Sequence, residues 1–253
     1  MDARGRPGRI EPIIYGVDYH LANFSERFGE LSLERSRLEE LASFDSDLRS
    51  IFRTMEVLIV RLNDDQDKVS RLHKLLMECT SRPDKRLSDE EEDEMRTLEP
   101  YRLYYRLDVW VFFVQLSVFL DKIAKYLNLL FLSSDTPKDR SYISFKRSIK
   151  EFKGPEVTML QTILNSYTIF DEAKSIRDDY IIHHSREIHG IAYSDEYMSV
   201  ILSARKDGRM KSISISNEYL NAVILQLKSF LRDLGDFLHT NAGQIPFRIE
   251  KSG

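Results

Sequence analysis

Between Asp108 and Asp121 the chain reads DVWVFFVQLSVFLD, an apolar run broken only by Gln115 and Ser117. It is too short to cross a bilayer, which takes about 20 apolar residues. Wound as a helix, it is apolar around almost its whole circumference, and such a helix has to be covered on more than one face. The rest of the chain must therefore supply a bundle in which this segment is either a buried helix or an interface helix.

The remainder of the sequence suits that demand. Only 10 glycines and 7 prolines occur in 253 residues, too few for the many turns of a sandwich or barrel. A chain of this length can bury a sizeable core without staples. The single cysteine, Cys79, cannot form an internal disulfide, which points to a reducing, cytoplasmic setting. The start, MDARGRPGRIEPIIYGVDYH, has arginines but no apolar stretch with a small-residue cleavage site, so no signal peptide is expected. The formal net charge of −4 gives no general case for nucleic acid, and any such case must rest on local patches.

The expected fold class is all-α, a helical bundle with a small β-hairpin insertion. Residues 1–22 lack periodicity and read as an extended arm. From Leu31 a helical pattern begins. Leu38, Leu41, Leu48, Phe52, Met55, Ile59 and Leu62 fall on one face. Asn63–Asp67 (NDDQD) interrupts the stripe, which Val69, Leu72, Leu75, Leu76 and Cys79 resume, so this part is one long helix with a break or a helical hairpin. The acidic stretch Ser81–Pro100 reads as a loop that closes a long-helix extension over 23–100. A helical bundle over 101–243 follows. Its expected elements are a strong helix over Tyr101–Phe131, a short one over Tyr142–Phe152, and a continuous one from Pro155 toward His184. A hairpin with Lys206–Gly208 at its turn comes next, and then a final helix capped by Ser216 or Asn217.

Three of the six histidines lie together in IRDDYIIHHSREIH, Ile176–His189. Steps of three and four from Leu160 lead through Leu164, Tyr167, Phe170, and Ala173 or Lys174 to Arg177, Tyr180 and His184. The inward face therefore runs into an arginine and a histidine seven residues apart, nearly eclipsed on an α-helix. A guanidinium aimed inward is costly unless something pairs with it or a cleft opens there. An arginine offers fixed donors to a phosphate, and a histidine moves a proton near neutral pH. Together they suit metal-independent cleavage of RNA by its own 2′-hydroxyl.

Arg177, the polar Asp178 beside it, and His183 or His184 after a gap of five or six residues resemble the motif of the HEPN superfamily. LDKIAKYLNLLF (Leu120–Phe131) likewise resembles the long first helix of abortive-infection-type members. The resemblance covers about Tyr101–Thr240. It implies an α-helical bundle, a homodimer with two arginine–histidine pairs in one cleft, and an endoribonuclease acting as a toxin or phage-defence effector. It implies no cofactor. The expected partners are RNA, a second copy of the chain, and an antitoxin or regulatory protein, with no membrane.

On this reading Arg177 holds the phosphate, His184 moves the proton with His183 as the alternate, Asp178 orients the arginine, and Tyr180 lines the cleft. Arg186 adds positive charge. Two basic patches would steer RNA: Lys138–Lys153, with Lys146, Arg147 and Lys150 and interleaved Tyr142 and Phe145, and the hairpin tip, with Arg205, Lys206, Arg209 and Lys211. A plainer account makes His183, His184, Arg186 and His189 a helix terminus that satisfies backbone carbonyls. Under it the chain is a non-catalytic dimerisation, interaction or nucleotide-sensing module. The histidines are one, five and six apart rather than four, which argues against a metal site.

Overall fold

The computed structural model describes residues 24–84, 86–132, 141–182, 190–193, 198–206, 209–248 and 250–251. The arm over 1–22 lies outside them. The fold is mostly α with a small antiparallel sheet. Its helices are α1 (Arg35–Ser81), α2 (Asp89–Leu129), α3 (Tyr142–Ser148), α4 (Pro155–Ser166), α5 (Ile169–Ile176) and α6 (Asn217–Thr240). The sheet strands are β3 (Gly190–Tyr193), β4 (Met198–Lys206) and β5 (Arg209–Ser216), in the order β3-β4-β5. Two short ladders pair β1 (Phe131–Leu132) with β6 (Phe247–Arg248), and β2 (Phe152–Lys153) with β7 (Glu250–Lys251).

Helix α1 runs unbroken for 47 residues, so Asn63–Asp67 does not interrupt it. None of those residues is Gly or Pro, and their side chains find partners in helical register. Asp65 is buried and accepts from Lys68 Nζ at 3.0 Å, while Gln66 accepts from Asn217 Nδ2 at 2.5 Å.

The expected loop over Ser81–Pro100 is also corrected: α2 starts at Asp89 and carries Pro100 inside it. The signal was Ser88-Asp-Glu-Glu91. Ser88 N donates to Glu91 Oε2 at 2.8 Å and Glu91 N donates to Ser88 Oγ at 3.3 Å, a reciprocal capping box. Four acidic residues in the first turn then suit the positive end of the helix dipole. Arg82 donates to both Glu91 oxygens, at 2.5 and 2.7 Å, and ties the connecting turn down.

The residues cluster into two compact units. The first contains 55–114 and 175–222, and the second contains 24–54, 115–174 and 223–251 among the described residues. Both draw on residues on either side of position 100.

In the first unit α1 and α2 run antiparallel. Arg71 pairs with Glu94 through two bonds of 2.8 and 2.9 Å, Lys68 Nζ sits 3.9 Å from the centre of the Tyr101 ring, and Arg61 reaches Asp108 at 3.1 Å. Burial pushes the Asp108 carboxyl above its usual range, against the pull of Arg61. Met55, Leu62, Val69, Tyr105, Val109 and Phe112 are buried in this unit, as are Val200, Leu202 and Ile215 of the sheet. A polar network is buried with them. Tyr105 OH donates to Asn217 Oδ1 at 2.5 Å, and Asn217 Nδ2 donates to Gln66.

The expected hairpin forms between β4 and β5. Ile215 faces Val200 and Ile213 faces Leu202, with Val200, Leu202, Ala204 and Ile215 buried. Its turn residues Asp207 and Gly208 lie outside the described residues. Strand β3 is an addition that the alternation in β4 and β5 did not announce. Of the two candidate caps of α6, Ser216 takes the role, accepting from Tyr219 N at 3.3 Å, while Asn217 turns into the core.

In the second unit the antiparallel partners on α1 and α2 are Asp47 with Lys122 at 2.5 Å and Phe52 with Phe119. Tyr142, Tyr167, Phe170 and Phe230 form an aromatic cluster with ring centroids 5.3–6.5 Å apart. Lys174, almost fully buried, donates to Asp121 Oδ1 at 2.7 Å, and Tyr142 N donates to the same oxygen at 2.9 Å. Gly154, at φ 145° and ψ 152°, precedes Pro155 at the start of α4 in a conformation essentially reserved for glycine.

Candidate active site

The helix expected to run from Pro155 into the motif is two helices, broken at Tyr167–Thr168. No Gly or Pro marks the break. Tyr167 OH donates to Asp233 Oδ2 at 2.5 Å and its ring stacks on Phe170, so tertiary tethers fix the tyrosine outside helical register. Burial and the Asp233 carboxylate push its phenol up to about 12. Thr168 O then accepts from Asp171 N and Glu172 N and opens α5.

Past Ile176 the winding changes. Arg177–Ile182 forms a π-helical turn, with hydrogen bonds five residues apart. The side chains on either side of the change give the reason. Ile176 and Ile181 are both buried, yet on an α-helix residues five apart point about 140° away from each other. The wider turn brings both to the covered side, where β4 packs against the turn. Turns of this kind recur at functional sites.

This geometry revises the relation drawn from an α-helical period. Over Arg177–Ile182 the α-helical period that relates Arg177 to His184 in the sequence does not apply. His183, His184 and Arg186 lie outside the described residues.

Arg177 is mostly shielded, its side chain 17% exposed. Its Nε donates to Asp178 Oδ1 at 2.7 Å, and Nη2 donates to the same oxygen. The cost of holding a guanidinium away from water is thus met by its own chain neighbour. Among the described residues Nη1 takes no hydrogen-bond partner. Ser175 Oγ donates to Asp179 at 3.3 Å, and Tyr180 is half-buried in the same turn.

The other predicted residues divide between the units. Arg209 belongs with Arg177 and Tyr180 in the first, exposed and paired in register with Lys206 at the closed end of the hairpin. Arg205 and Lys206 lie on β4, and their side chains are outside the described residues. Lys146, Arg147 and Lys150 belong to the second unit. Arg147 and Lys150 are exposed, but Lys146 is largely covered and bound to Asp171 at 2.7 Å, so it is not a ready phosphate ligand. Tyr142 and Phe145 are fully buried, so the aromatics expected to interleave that patch are core residues.

Among the described residues no group of three His, Cys, Asp or Glu side chains is placed to hold a metal ion. No helix among them is long and apolar enough to cross a membrane. Comparisons with protein-family models, curated proteins and solved structures find no match for this chain.

Proposed function

We propose that the chain is a metal-independent endoribonuclease of the HEPN type, acting in the cytoplasm as a toxin or phage-defence effector and held in check by an antitoxin or regulatory protein. The observation that carries this reading is the state of Arg177. Its guanidinium is fixed by Asp178 in a π-helical turn at the end of a helix, the place where the motif needs a rigid arginine. In the mechanism, the RNA 2′-hydroxyl attacks the adjacent phosphorus and gives its proton to His184 or His183. Arg177 stabilises the charge that builds on the phosphate oxygens, and the bond to the 5′-oxygen breaks as that oxygen takes a proton from the imidazolium or from water. The products are a 2′,3′-cyclic phosphate and a free 5′-hydroxyl. Arg209, Arg205 and Lys206 on the hairpin supply positive charge for the strand.

The test is cleavage of end-labelled single-stranded RNA in the presence of EDTA. The parent is expected to leave cyclic phosphate ends, with Arg177→Ala and His184→Ala each slower by about 100-fold or more. A parent that cuts nothing, or variants that cut as well as the parent, would end the proposal.

The Arg177–Asp178 pair also favours a second reading, because a carboxylate that neutralises the arginine competes with phosphate. In that case the fold is a non-catalytic dimerisation, interaction or nucleotide-sensing module, and the arginine is there for stability. Arg177→Ala would then melt earlier than a parent that has no RNase activity.

A further inference from the structure

Strand β5 is an outer strand of its sheet, since the order β3-β4-β5 leaves it paired with β4 alone. Only two residues separate Lys206 from Arg209, which face each other, so that pair exchanges both of its backbone bonds. The ladder alternates from there. Lys211, Ile213 and Ile215 also bond to β4, while Met210, Ser212 and Ser214 aim their N–H and C=O groups away from it. Among the described residues those outward groups take no partner. All three residues are exposed, so a row of backbone donors and acceptors lies open to another strand.

We propose that this edge receives an extended, acidic segment of a partner protein, which joins the sheet as a strand antiparallel to β5. The backbone row calls for a strand, because only an extended chain matches its spacing. Charge chooses which strand. β5 carries Arg209 and Lys211, both exposed, and no acidic residue. Cations on an edge deter neutral and basic strands, a second β5 included. A strand with carboxylates opposite them is the one that fits.

Arg209, Lys211 and Ile213 lie on one side of the sheet. The partner segment therefore places acidic residues opposite Arg209 and Lys211 and an apolar one opposite the half-buried Ile213. The edge makes no use of the Arg177 motif, so the inference stands whether or not the chain cleaves RNA. Arg209 serves both readings, and backbone bonds tell them apart: an added strand needs them and a nucleic acid does not.

The probe is the fluorescein-labelled octapeptide Thr-Val-Thr-Val-Thr-Glu-Val-Glu, whose glutamates fall opposite Lys211 and Arg209 in antiparallel register. Fluorescence anisotropy with the full chain is expected to show saturable binding. Methylating the third, fifth and seventh backbone nitrogens of the peptide removes the N–H groups that face Ser214, Ser212 and Met210. The charge is unchanged, and binding should weaken by about 10-fold or more. Replacing both glutamates by lysine should weaken it as much. On the protein, Ser212→Pro removes an N–H that the fold does not use, which an edge strand tolerates on its open side. This variant should lose binding equally, with unchanged circular dichroism. No saturable binding by the parent, or equal binding of the methylated peptide, overturns the proposal. Single-stranded RNA bound in place of the peptide would give the charges to nucleic acid. A parent that self-associates where Ser212→Pro does not would give the edge to a second copy. Either result also overturns the proposal.

Discussion

Asp178 accepts two hydrogen bonds from Arg177, one from Nε and one from Nη2, on a single oxygen, Oδ1, so the motif arginine is gripped by the residue that follows it. Orientation and neutralisation by that carboxylate have opposite consequences for catalysis, and charge removal at constant size separates them. Asp178→Asn is expected to slow single-turnover RNA cleavage by about 100-fold through loss of positioning, while RNA binding tightens because a negative charge is gone. Single-turnover rates beside a binding titration check this. Faster cleavage would mean that Asp178 restrains the arginine rather than aligning it.

The buried bond from Tyr105 to Asn217, passed on to Gln66, makes a second prediction. Asn217→Ala removes the core acceptor of the Tyr105 phenol and the core donor to Gln66, at a cost of about 1–3 kcal/mol. At roughly 2–4 °C per kcal/mol for a chain of this size, melting should fall by several degrees. Adding Tyr105→Phe should cost less than the sum of the single changes, because the two residues share one bond. Thermal melts of the three variants decide it.

Much of this architecture was legible in the sequence, and what was not has physical causes. The stripes of α1, α2 and α6 and the alternation in β4 and β5 were readable because burial imposes the period of each element. The acidic run over Ser81–Pro100 misled because composition outweighed local chemistry. Ser88 and Glu91 already spelled a capping box, and helix dipoles welcome acids at that end. The break at Tyr167 left no trace, since a hydroxyl bonded to Asp233, 66 residues away, holds the chain out of helix. The π-helical turn was hidden for a related reason. Two buried isoleucines five apart, Ile176 and Ile181, fit no α-helical face, and the conflict shows only once both are known to be covered. Arg177 and Asp178 could be named from sequence, but their mutual bond could not.

Glu91 predicts an acid-side loss of stability. Its bonds to Arg82 and Ser88 hold the carboxyl at about 2, below the usual 4.5. A lowered folded value means that the contribution is complete above the ordinary carboxylate range and is lost as pH falls from about 4.5 through 2. The difference in melting temperature between the parent and Glu91→Gln should therefore be largest near neutrality and shrink toward pH 2. A gap that stays constant with pH would show that the pair adds nothing through its charge.

Asp108 should behave in the opposite sense. Burial raises its folded value above the usual 3.8, so the protein is favoured below that range and loses this contribution as pH rises through the raised value. Asp108→Asn, which keeps the shape and removes the charge, is expected to melt level with the parent in acid and above it at neutral pH. Melts across that range test it, and a neutral-pH loss would mean that the bond to Arg61 outweighs burial.

The chain passes from one compact unit to the other at four places among the described residues, and every passage falls inside a helix. These are Thr54–Met55 in α1, Val114–Gln115 in α2, Lys174–Ser175 in α5 and Ala222–Val223 in α6. No cut in the gene would therefore release either half with its ends intact. Recombination could not trade one against a foreign counterpart, and an insertion at these junctions would have to lengthen a helix by whole turns to be tolerated. The two halves are bound to be inherited together.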